Sequence, residues 1–94
     1  MSGFFYFQSM DYCVYVLYSK DFDRIYVGQT SNLIERFKSH NLLSAKGYTL
    51  RYRPWIVVHI EFFATRSETL KREKELKQGQ GRTWIRTNII PKYS

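Results

Sequence analysis

Side chains suited to phosphodiester chemistry occupy two segments of this 94-residue chain. Tyr15 and Tyr26 lie eleven residues apart, Arg36 and His40 follow one helical turn apart, and Glu73 comes much later. Phosphodiester hydrolysis needs an activated water, positive charge on the phosphate and stabilisation of the leaving oxygen. An arginine fork matches phosphate oxygens, and a carboxylate can hold a hydrated divalent cation. A phenol or an imidazole can hold the water or relay a proton, so these residue types fit one hydrolytic centre.

Each of these residues also has an ordinary structural explanation. Tyrosines in strands are usually rings at the edge of a core, and Arg36 and His40 on a helix would usually be solvated. Glu73 could simply pair with Lys77 at the i, i+4 spacing. Residue types alone therefore leave the catalytic and the structural interpretations open.

The first half of the chain must place the tyrosines, and its pattern predicts a hairpin followed by a helix. Residues 12–18 are almost continuously apolar, which is typical of a strand buried on both faces. A polar link leads to a short second strand at 25–27, which we expect Gly28 to end. Thr30 or Ser31 can cap a helix that turns Leu33 and Phe37 toward the core.

The second half must place Glu73. Residues 55–63 give the strongest strand pattern, and we expect this strand to pair with the first one and to carry a hydrogen-bonded His59. Thr65 and Glu68 form a capping box before a helix over 67–77. Leu70, Glu73 and Leu76 recur at three-residue intervals, which predicts an inward-facing Glu73. Glycines at 79 and 81 break that helix, and a last helix over 82–90 should dock Trp84, Ile85 and Ile89 on the core.

Composition indicates a polyanionic partner. The chain has fifteen Lys and Arg residues and eight Asp and Glu residues, which gives a net charge of +7. Contacts to phosphates dominate the affinity of proteins for nucleic acids. Residues 41–54 form a basic connection that would serve either as a binding loop or as ordinary solvated chain. The single cysteine, Cys13, excludes an internal disulfide, and no Cys/His spacing suits zinc. Without a membrane-length apolar run or a signal-peptide pattern, we expect a soluble, cytoplasmic protein.

The motifs around these residues resemble those of the GIY-YIG nuclease family. Residues 13–15 (CVY) and 26–28 (YVG) are similar to its two signature triplets, with Cys13 in place of the first glycine. Arg36 and His40 match its helix motif, and residues 71–77 match the motif around its metal-binding glutamate. The resemblance covers about 12–90 and is closest to small stand-alone members related to the nuclease module of bacterial excision repair.

This resemblance implies an α+β fold, in which a small three-stranded antiparallel sheet is flanked by helices. It also implies one Mg²⁺ or Mn²⁺ ion on Glu73, Arg36 on the scissile phosphate, and Tyr15 as base or water-positioning group with Tyr26 beside it. His40 matches a position that is histidine in some branches only. Gln29 stands where some repair relatives carry a lysine. The nucleic-acid contacts that we expect are Gln29, Lys38, Lys46, Arg51 and Arg53.

The leading hypothesis is therefore a metal-dependent endonuclease acting on DNA, with a role in repair or in processing of structured DNA as one possibility. DNA is favoured over RNA as the substrate, but RNA stays open. The alternative is a nucleic-acid-binding module that does not turn over, or that needs a protein partner for specificity. The expected organisation is an N-terminal extension at 1–11, the nuclease-like domain at 12–90 and a C-terminal tail at 91–94.

Overall fold

A computed structural model describes residues 12–38 and 48–94 of the chain. The N-terminal extension expected at 1–11, and the expected site residues His40 and Lys46, lie outside the described residues. No helix in the described part is long and apolar enough to cross a membrane.

Three antiparallel strands form the sheet, as predicted. They are β1 (Tyr12–Ser19), β2 (Arg24–Thr30) and β3 (Ile56–Phe63), and their spatial order is β2-β1-β3. The short link of 20–23 makes β1 and β2 a hairpin, and β3 pairs along the other side of β1. Helices accompany the sheet, so the α+β fold expected from the resemblance is confirmed.

The central strand, β1, is buried on both faces, as its apolar run predicts. Residues 13–19 are all buried, and alternate side chains enter two separate apolar layers. One layer gathers Val14 and Val16 with residues of the late helices, such as Leu76 and Ile85. The other gathers Cys13, Tyr15 and Leu17 around Trp55, with Leu33 and Phe37 packed against it as expected. Tyr15 therefore lies in the layer that the late helices do not cover.

Gly28 does not end the second strand, and that prediction was wrong. β2 continues to Thr30, and Gly28 pairs with Tyr15 in the middle of the ladder. A glycine usually weakens a strand because it has no side chain to pack. Here the ring of Tyr15 occupies the space that a side chain at Gly28 would need.

The described residues include four α-helices. Two of them, α1 (Leu33–Lys38) and α2 (Tyr48–Arg51), lie between β2 and β3, and the other two, α3 (Arg66–Lys77) and α4 (Gly79–Asn88), follow β3 and precede a 3-10 turn at Ile90–Lys92. The predicted capping box opens α3, where Glu68 N–H donates to Thr65 Oγ1 while Thr65 N–H donates to Glu68 Oε1. The helix breaks at Gln78 as expected, but α4 begins at Gly79, three residues earlier than predicted. Gly81 makes this early start feasible, because a Cβ there would collide with the Glu75 carbonyl and the Leu76 backbone.

Two predicted core residues lie outside the core. Leu70 is 42% exposed, and its neighbour Thr69 is buried instead, with its hydroxyl donating to the Thr65 carbonyl at 2.8 Å. A buried threonine is tolerated when its hydroxyl is satisfied in this way. Trp84 is 39% exposed, whereas Ile85 and Ile89 are buried as predicted. The indole of Trp84 instead lies near the Arg72 guanidinium, 5.7 Å from its ring centroid.

Candidate active site

Tyr15 lies at the centre of the candidate site. Its side chain is 1% exposed, and its phenol lies over Gly28 on the neighbouring strand. A Cβ built at Gly28 would be 2.5 Å from the Tyr15 hydroxyl oxygen and 2.6 Å from Cζ. The glycine therefore lets the hydroxyl reach across β2, which a side chain at this position would block.

Tyr26 lies beside Tyr15 on the same side of the sheet. It pairs with Leu17, so strand alternation directs it into the layer of Tyr15. The two phenol rings are 6.3 Å apart at an interplanar angle of 33°. On its other side, the Tyr26 ring meets the buried Trp55 in an edge-to-face contact at 6.3 Å. Trp55 thus supports a half-buried Tyr26 from behind.

Arg36 enters this group from α1. The hydroxyl of Thr30 accepts the backbone N–H of Asn32 at 3.0 Å, and Asn32 carbonyl accepts the Arg36 N–H at 3.1 Å, so the chain turns from β2 directly into α1. The Arg36 side chain is exposed, and its positive charge acts on the Tyr15 hydroxyl. The two groups that the sequence assigned to phosphate binding and to water are therefore within electrostatic range of each other.

The proton of Tyr15 is held firmly. Burial raises the pKa of the phenol well above its ordinary value of 10, and the neighbouring Tyr26 adds to the rise. The Arg36 guanidinium lowers the pKa without cancelling these effects, while the Glu73 carboxylate raises it slightly. At neutral pH the hydroxyl is consequently a hydrogen-bond donor, which favours water positioning over general-base catalysis for this residue.

Glu73 faces partly inward, as its spacing predicts. Its side chain is 20% exposed, and its carboxylate lies 3.2 Å from Lys77 Nζ. The carboxylate also acts on the Tyr15 hydroxyl, although it does so more weakly than Arg36. The ion pair with Lys77, which would give Glu73 a structural role, is present. The electrostatic effect of Glu73 on Tyr15 is present as well.

The donor set suits a hydrated ion rather than a closed protein cage. Within residues 12–38 and 48–94, no three acidic, histidine or cysteine side chains come together as a metal cluster. Mg²⁺ commonly binds through one or two carboxylates and keeps several waters, and a partly buried Glu73 matches that requirement. An ion here would have to share or displace Lys77, since the ammonium lies against Oε2 of the same carboxylate.

The helix that carries Glu73 is tied to β3 by the residue before it. Arg72 donates from Nε to Glu61 Oε1 at 2.8 Å and from Nη2 to Oε2 at 3.0 Å, and His59 Nε2 lies 2.8 Å from Oε2. His59 is thus hydrogen-bonded in the strand, as predicted. Burial raises the pKa of the Glu61 carboxyl, but the bonds from Arg72 and His59 outweigh burial and hold it below its ordinary value. A two-pronged arginine contact of this kind fixes geometry as well as charge.

Four of the five residues expected to contact nucleic acid, all except Lys46, lie in the described part of the chain. Gln29 pairs with Val14, so it faces the side of β2 opposite to Tyr26. Arg51 is exposed at the end of α2, with its guanidinium 5.6 Å from the Tyr52 ring centroid, whereas Arg53 is partly buried. Lys38 ends α1.

Three residues on the Tyr15 side of the sheet were not predicted from the sequence to contribute to the site. Gly28 was interpreted as a strand terminator, although its place opposite Tyr15 in a hairpin register would have indicated a close approach. Trp55 was counted only as part of a strand, whereas it supports Tyr26. Arg24 was placed in the turn, but its two-residue spacing from Tyr26 puts both side chains on one face of β2.

Comparison with known proteins shows the family to which this chain is similar. The sequence model of one protein family, the GIY-YIG catalytic domain, matches residues 11–86 of this chain. A UPF0213 protein of Staphylococcus haemolyticus is 38% identical over 64 residues, which cover 68% of this chain and 77% of that protein. A UPF0213 protein of Haloquadratum walsbyi is 38% identical, covering 68% and 71% of the two chains. One of Clostridium perfringens is 39% identical, covering 69% of each chain.

Proposed function

The chain belongs to the GIY-YIG family of catalytic domains, and from that premise we propose that it is a divalent-metal-dependent endonuclease that hydrolyses phosphodiester bonds in DNA. One observation carries the proposal: Tyr15, Tyr26, Arg36 and Glu73 come from four different elements, yet the Tyr26 ring lies 6.3 Å from the Tyr15 ring, and the charges of Arg36 and Glu73 both act on the Tyr15 hydroxyl.

In this proposal Arg36 binds the scissile phosphate. Its exposed guanidinium can donate two parallel hydrogen bonds to phosphate oxygens and offset the negative charge that grows in the transition state. The Tyr15 hydroxyl, still protonated, holds the attacking water or a phosphate oxygen, and Tyr26 keeps the Tyr15 ring in place. The role of His40 as a proton relay stays a prediction, because that residue lies outside the described part of the chain.

Glu73 would hold one Mg²⁺ or Mn²⁺ ion. When bound, such an ion supplies a water of lowered pKa and neutralises charge on the phosphate. The chain's own contribution is to present one carboxylate at the edge of the site, fixed by α3 and by the Arg72–Glu61 contact. Lys77 neutralises that carboxylate when no ion is present.

The wider proposals rest on the family and on composition. Family membership favours DNA as the substrate, and resemblance to excision-repair nuclease modules favours structured DNA in repair or processing. The net charge of +7 fits a polyanion. We propose a cytoplasmic location, in keeping with the lone cysteine, and a protein partner that adds specificity to so small a domain.

A second candidate function is favoured by one contact. The Glu73–Lys77 ion pair already satisfies the carboxylate without a metal, as a nucleic-acid-binding module without turnover would require. Such a module would bind DNA through its positive charge and leave it intact.

A substrate panel separates the two. Labelled single-stranded DNA, duplex, flap, branched DNA and structured RNA are incubated with Mg²⁺ or Mn²⁺ and wild-type protein, Glu73→Ala or Arg36→Ala. The nuclease predicts that at least one DNA substrate is cut, and that cutting disappears in both variants and in chelator. Binding that weakens with salt, with no cutting of any substrate, would support the binding module instead.

A further inference from the structure

The link between β1 and β2 presents an aromatic side chain to solvent. Phe22 is 49% exposed, and its ring meets Tyr52 edge to face at a centroid distance of 5.5 Å. Single exposed apolar residues are common on proteins and by themselves indicate nothing. Whether Phe22 belongs to a binding surface therefore depends on the residues around it.

The turn that carries Phe22 is held in a strained conformation. Asp23 has a φ of 53°, in the left-handed region that residues other than glycine rarely adopt. Its carboxylate accepts hydrogen bonds from Arg86 Nη1 at 2.6 Å and Tyr18 Oη at 2.9 Å, and Arg86 Nη2 donates to its carbonyl at 3.1 Å. Strained backbone persists only where its surroundings fix it, and here α4 and β1 both do so. Phe22 therefore projects from a turn that is hydrogen-bonded to both α4 and β1 through the next residue.

Two cations flank the same ring that Phe22 contacts. The guanidinium carbons of Arg24 and Arg51 lie 5.0 Å and 5.6 Å from the Tyr52 centroid, and both arginines are exposed. A cation–π contact at an exposed site stabilises the position of each guanidinium by about 0.5–1 kcal/mol and leaves its charge in contact with solvent. An exposed ring with two such cations nearby combines the two elements of a single-strand-binding surface, a stacking platform for a base and positive charge for the backbone.

This surface is continuous with the candidate active site. Tyr52 packs against the layer that contains Tyr15, Tyr26 and Trp55. Arg24 precedes Tyr26 by two residues in β2, so both side chains project from one face of the strand, about 7 Å apart along it. A strand of nucleic acid bound at the tyrosines would pass Arg24 within one or two nucleotides.

We propose that Phe22, Arg24, Arg51 and Tyr52 form a binding subsite for an unpaired nucleotide of the substrate, with its base stacked on Phe22 and its phosphates held by the two arginines. The inference rests on the proposed function only in taking the substrate to be nucleic acid. It narrows that substrate to DNA with a single-stranded segment, such as a flap, an overhang or a branch, because a base inside a continuous duplex has no free face.

Binding without cleavage tests the subsite. DNA carrying 2-aminopurine in an unpaired flap, and a blunt duplex carrying it at a paired position, are titrated in EDTA with wild type, Phe22→Ala and Phe62→Ala. The last variant is a matched control, since Phe62 is 52% exposed on β3. Stacking on Phe22 predicts quenching of the flap probe by wild type and by Phe62→Ala, and roughly five-fold or greater loss of flap affinity in Phe22→Ala. Duplex affinity should change less than about two-fold, since paired bases do not stack on protein rings.

A further variant separates stacking from simple apolar contact. Phe22→Leu keeps apolar bulk but lacks a π face, so it should bind the flap as poorly as Phe22→Ala does. Three results would each overturn the subsite. The first is equal flap affinity of wild type and Phe22→Ala, the second is flap binding by Phe22→Leu as tight as that of wild type, and the third is absence of quenching with wild type. Absence of quenching is measured on the unmodified protein, so the test stands even if a variant folds poorly.

The failures of the two proposals are distinguishable. Quenching that depends on Phe22, together with no cleavage in Mg²⁺, would keep the subsite and reject the nuclease. Cleavage that requires Glu73, with unchanged flap affinity in Phe22→Ala, would keep the nuclease and reject the subsite.

Discussion

The Tyr15 hydroxyl retains its proton across the physiological range, because burial and the nearby Tyr26 raise its pKa above 10. A phenol in this state donates a hydrogen bond but cannot accept a proton from water. The Arg36 charge lowers the pKa of the phenol, but its effect is smaller than that of burial. At the scale of single residues, Tyr15 is thus suited to position a water or a phosphate oxygen rather than to deprotonate the water.

Tyr15→Phe should lower the cleavage rate about 10²-fold, by removing one positioned donor. The loss should be uniform between pH 6 and pH 9, because the raised pKa of Tyr15 places its ionisation above this window. Rate profiles against pH for the variant and for wild type, with the exposed Tyr93→Phe as control, measure this. A limb in the wild-type profile between pH 7 and pH 9 that vanishes in Tyr15→Phe would identify the phenol as a base and contradict the account.

Gly28→Ala should displace the Tyr15 ring, since the added Cβ would lie 2.5 Å from its hydroxyl oxygen. We expect a stability loss of about 1–3 kcal/mol, the usual cost of overpacking, and a fall in cleavage at temperatures where the variant is folded. Gly79→Ala is the matched control, because a Cβ there meets nothing within 4 Å. Thermal melts and cleavage rates that equal those of the control would show that Gly28 does not hold the phenol in place.

What the sequence could reveal at this scale was the set of residue types and their order. Tyr15, Tyr26, Arg36 and Glu73 were identified from spacing and from a family resemblance. The tight packing of Tyr15 on Gly28 was not, because strand register is a long-range property that single-residue preferences do not specify.

At the scale of elements, β3 and α3 are joined through one half-buried carboxylate. Glu61 accepts both prongs of Arg72 and also contacts His59, with Arg72 and Glu61 side chains 30% and 25% exposed. Because Arg72 precedes Glu73 in α3, this contact helps to set the position of the proposed metal-binding carboxylate.

Glu61→Gln should destabilise the protein by about 1.5–3 kcal/mol at pH 7, the range for hydrogen bonds to a charged group. The folded-state pKa of Glu61 is depressed, so its stabilisation is full above the unfolded value near 4.5 and is lost as pH falls through the folded value. Urea unfolding of wild type and variant should therefore differ at pH 7 and converge toward pH 3. If the free energies of unfolding of wild type and variant differed equally at pH 7 and pH 3, the ionised carboxylate of Glu61 would not be the source of the stabilisation.

Element boundaries were predictable where a local signal sets them. The Thr65–Glu68 capping box fixes the start of α3 by hydrogen bonds between side chains and backbone three residues apart, so the sequence located it. Burial within α3 depends on the direction from which the sheet meets the helix, and Thr69 rather than Leu70 faces it. The early start of α4 likewise depends on the close approach of Gly81 to the end of α3, which is a tertiary contact.

At the scale of the whole molecule, a net charge of +7 sets the affinity for polyanions and its dependence on salt. Arg51→Ala should weaken DNA binding and reduce the slope of log affinity against log salt by about 1, the effect of losing one phosphate contact. Lys92→Ala, at an exposed position near the C-terminus, should leave the slope unchanged. Anisotropy titrations at several salt concentrations measure both slopes, and equal slopes for the two variants would remove Arg51 from the interface.

The most direct test of the central claim compares two glutamates of α3. Glu73 is 20% exposed and acts on Tyr15, whereas Glu75, two residues later, is 51% exposed and bonds Arg72 at 3.3 Å. Cleavage of the best DNA substrate is measured across a range of Mg²⁺ concentrations for Glu73→Gln and Glu75→Gln. The account predicts that Glu73→Gln loses cleavage at every Mg²⁺ concentration, while Glu75→Gln stays within about two-fold of wild type, as surface substitutions usually do. Equal activity of the two variants would contradict a hydrolytic centre built on Glu73.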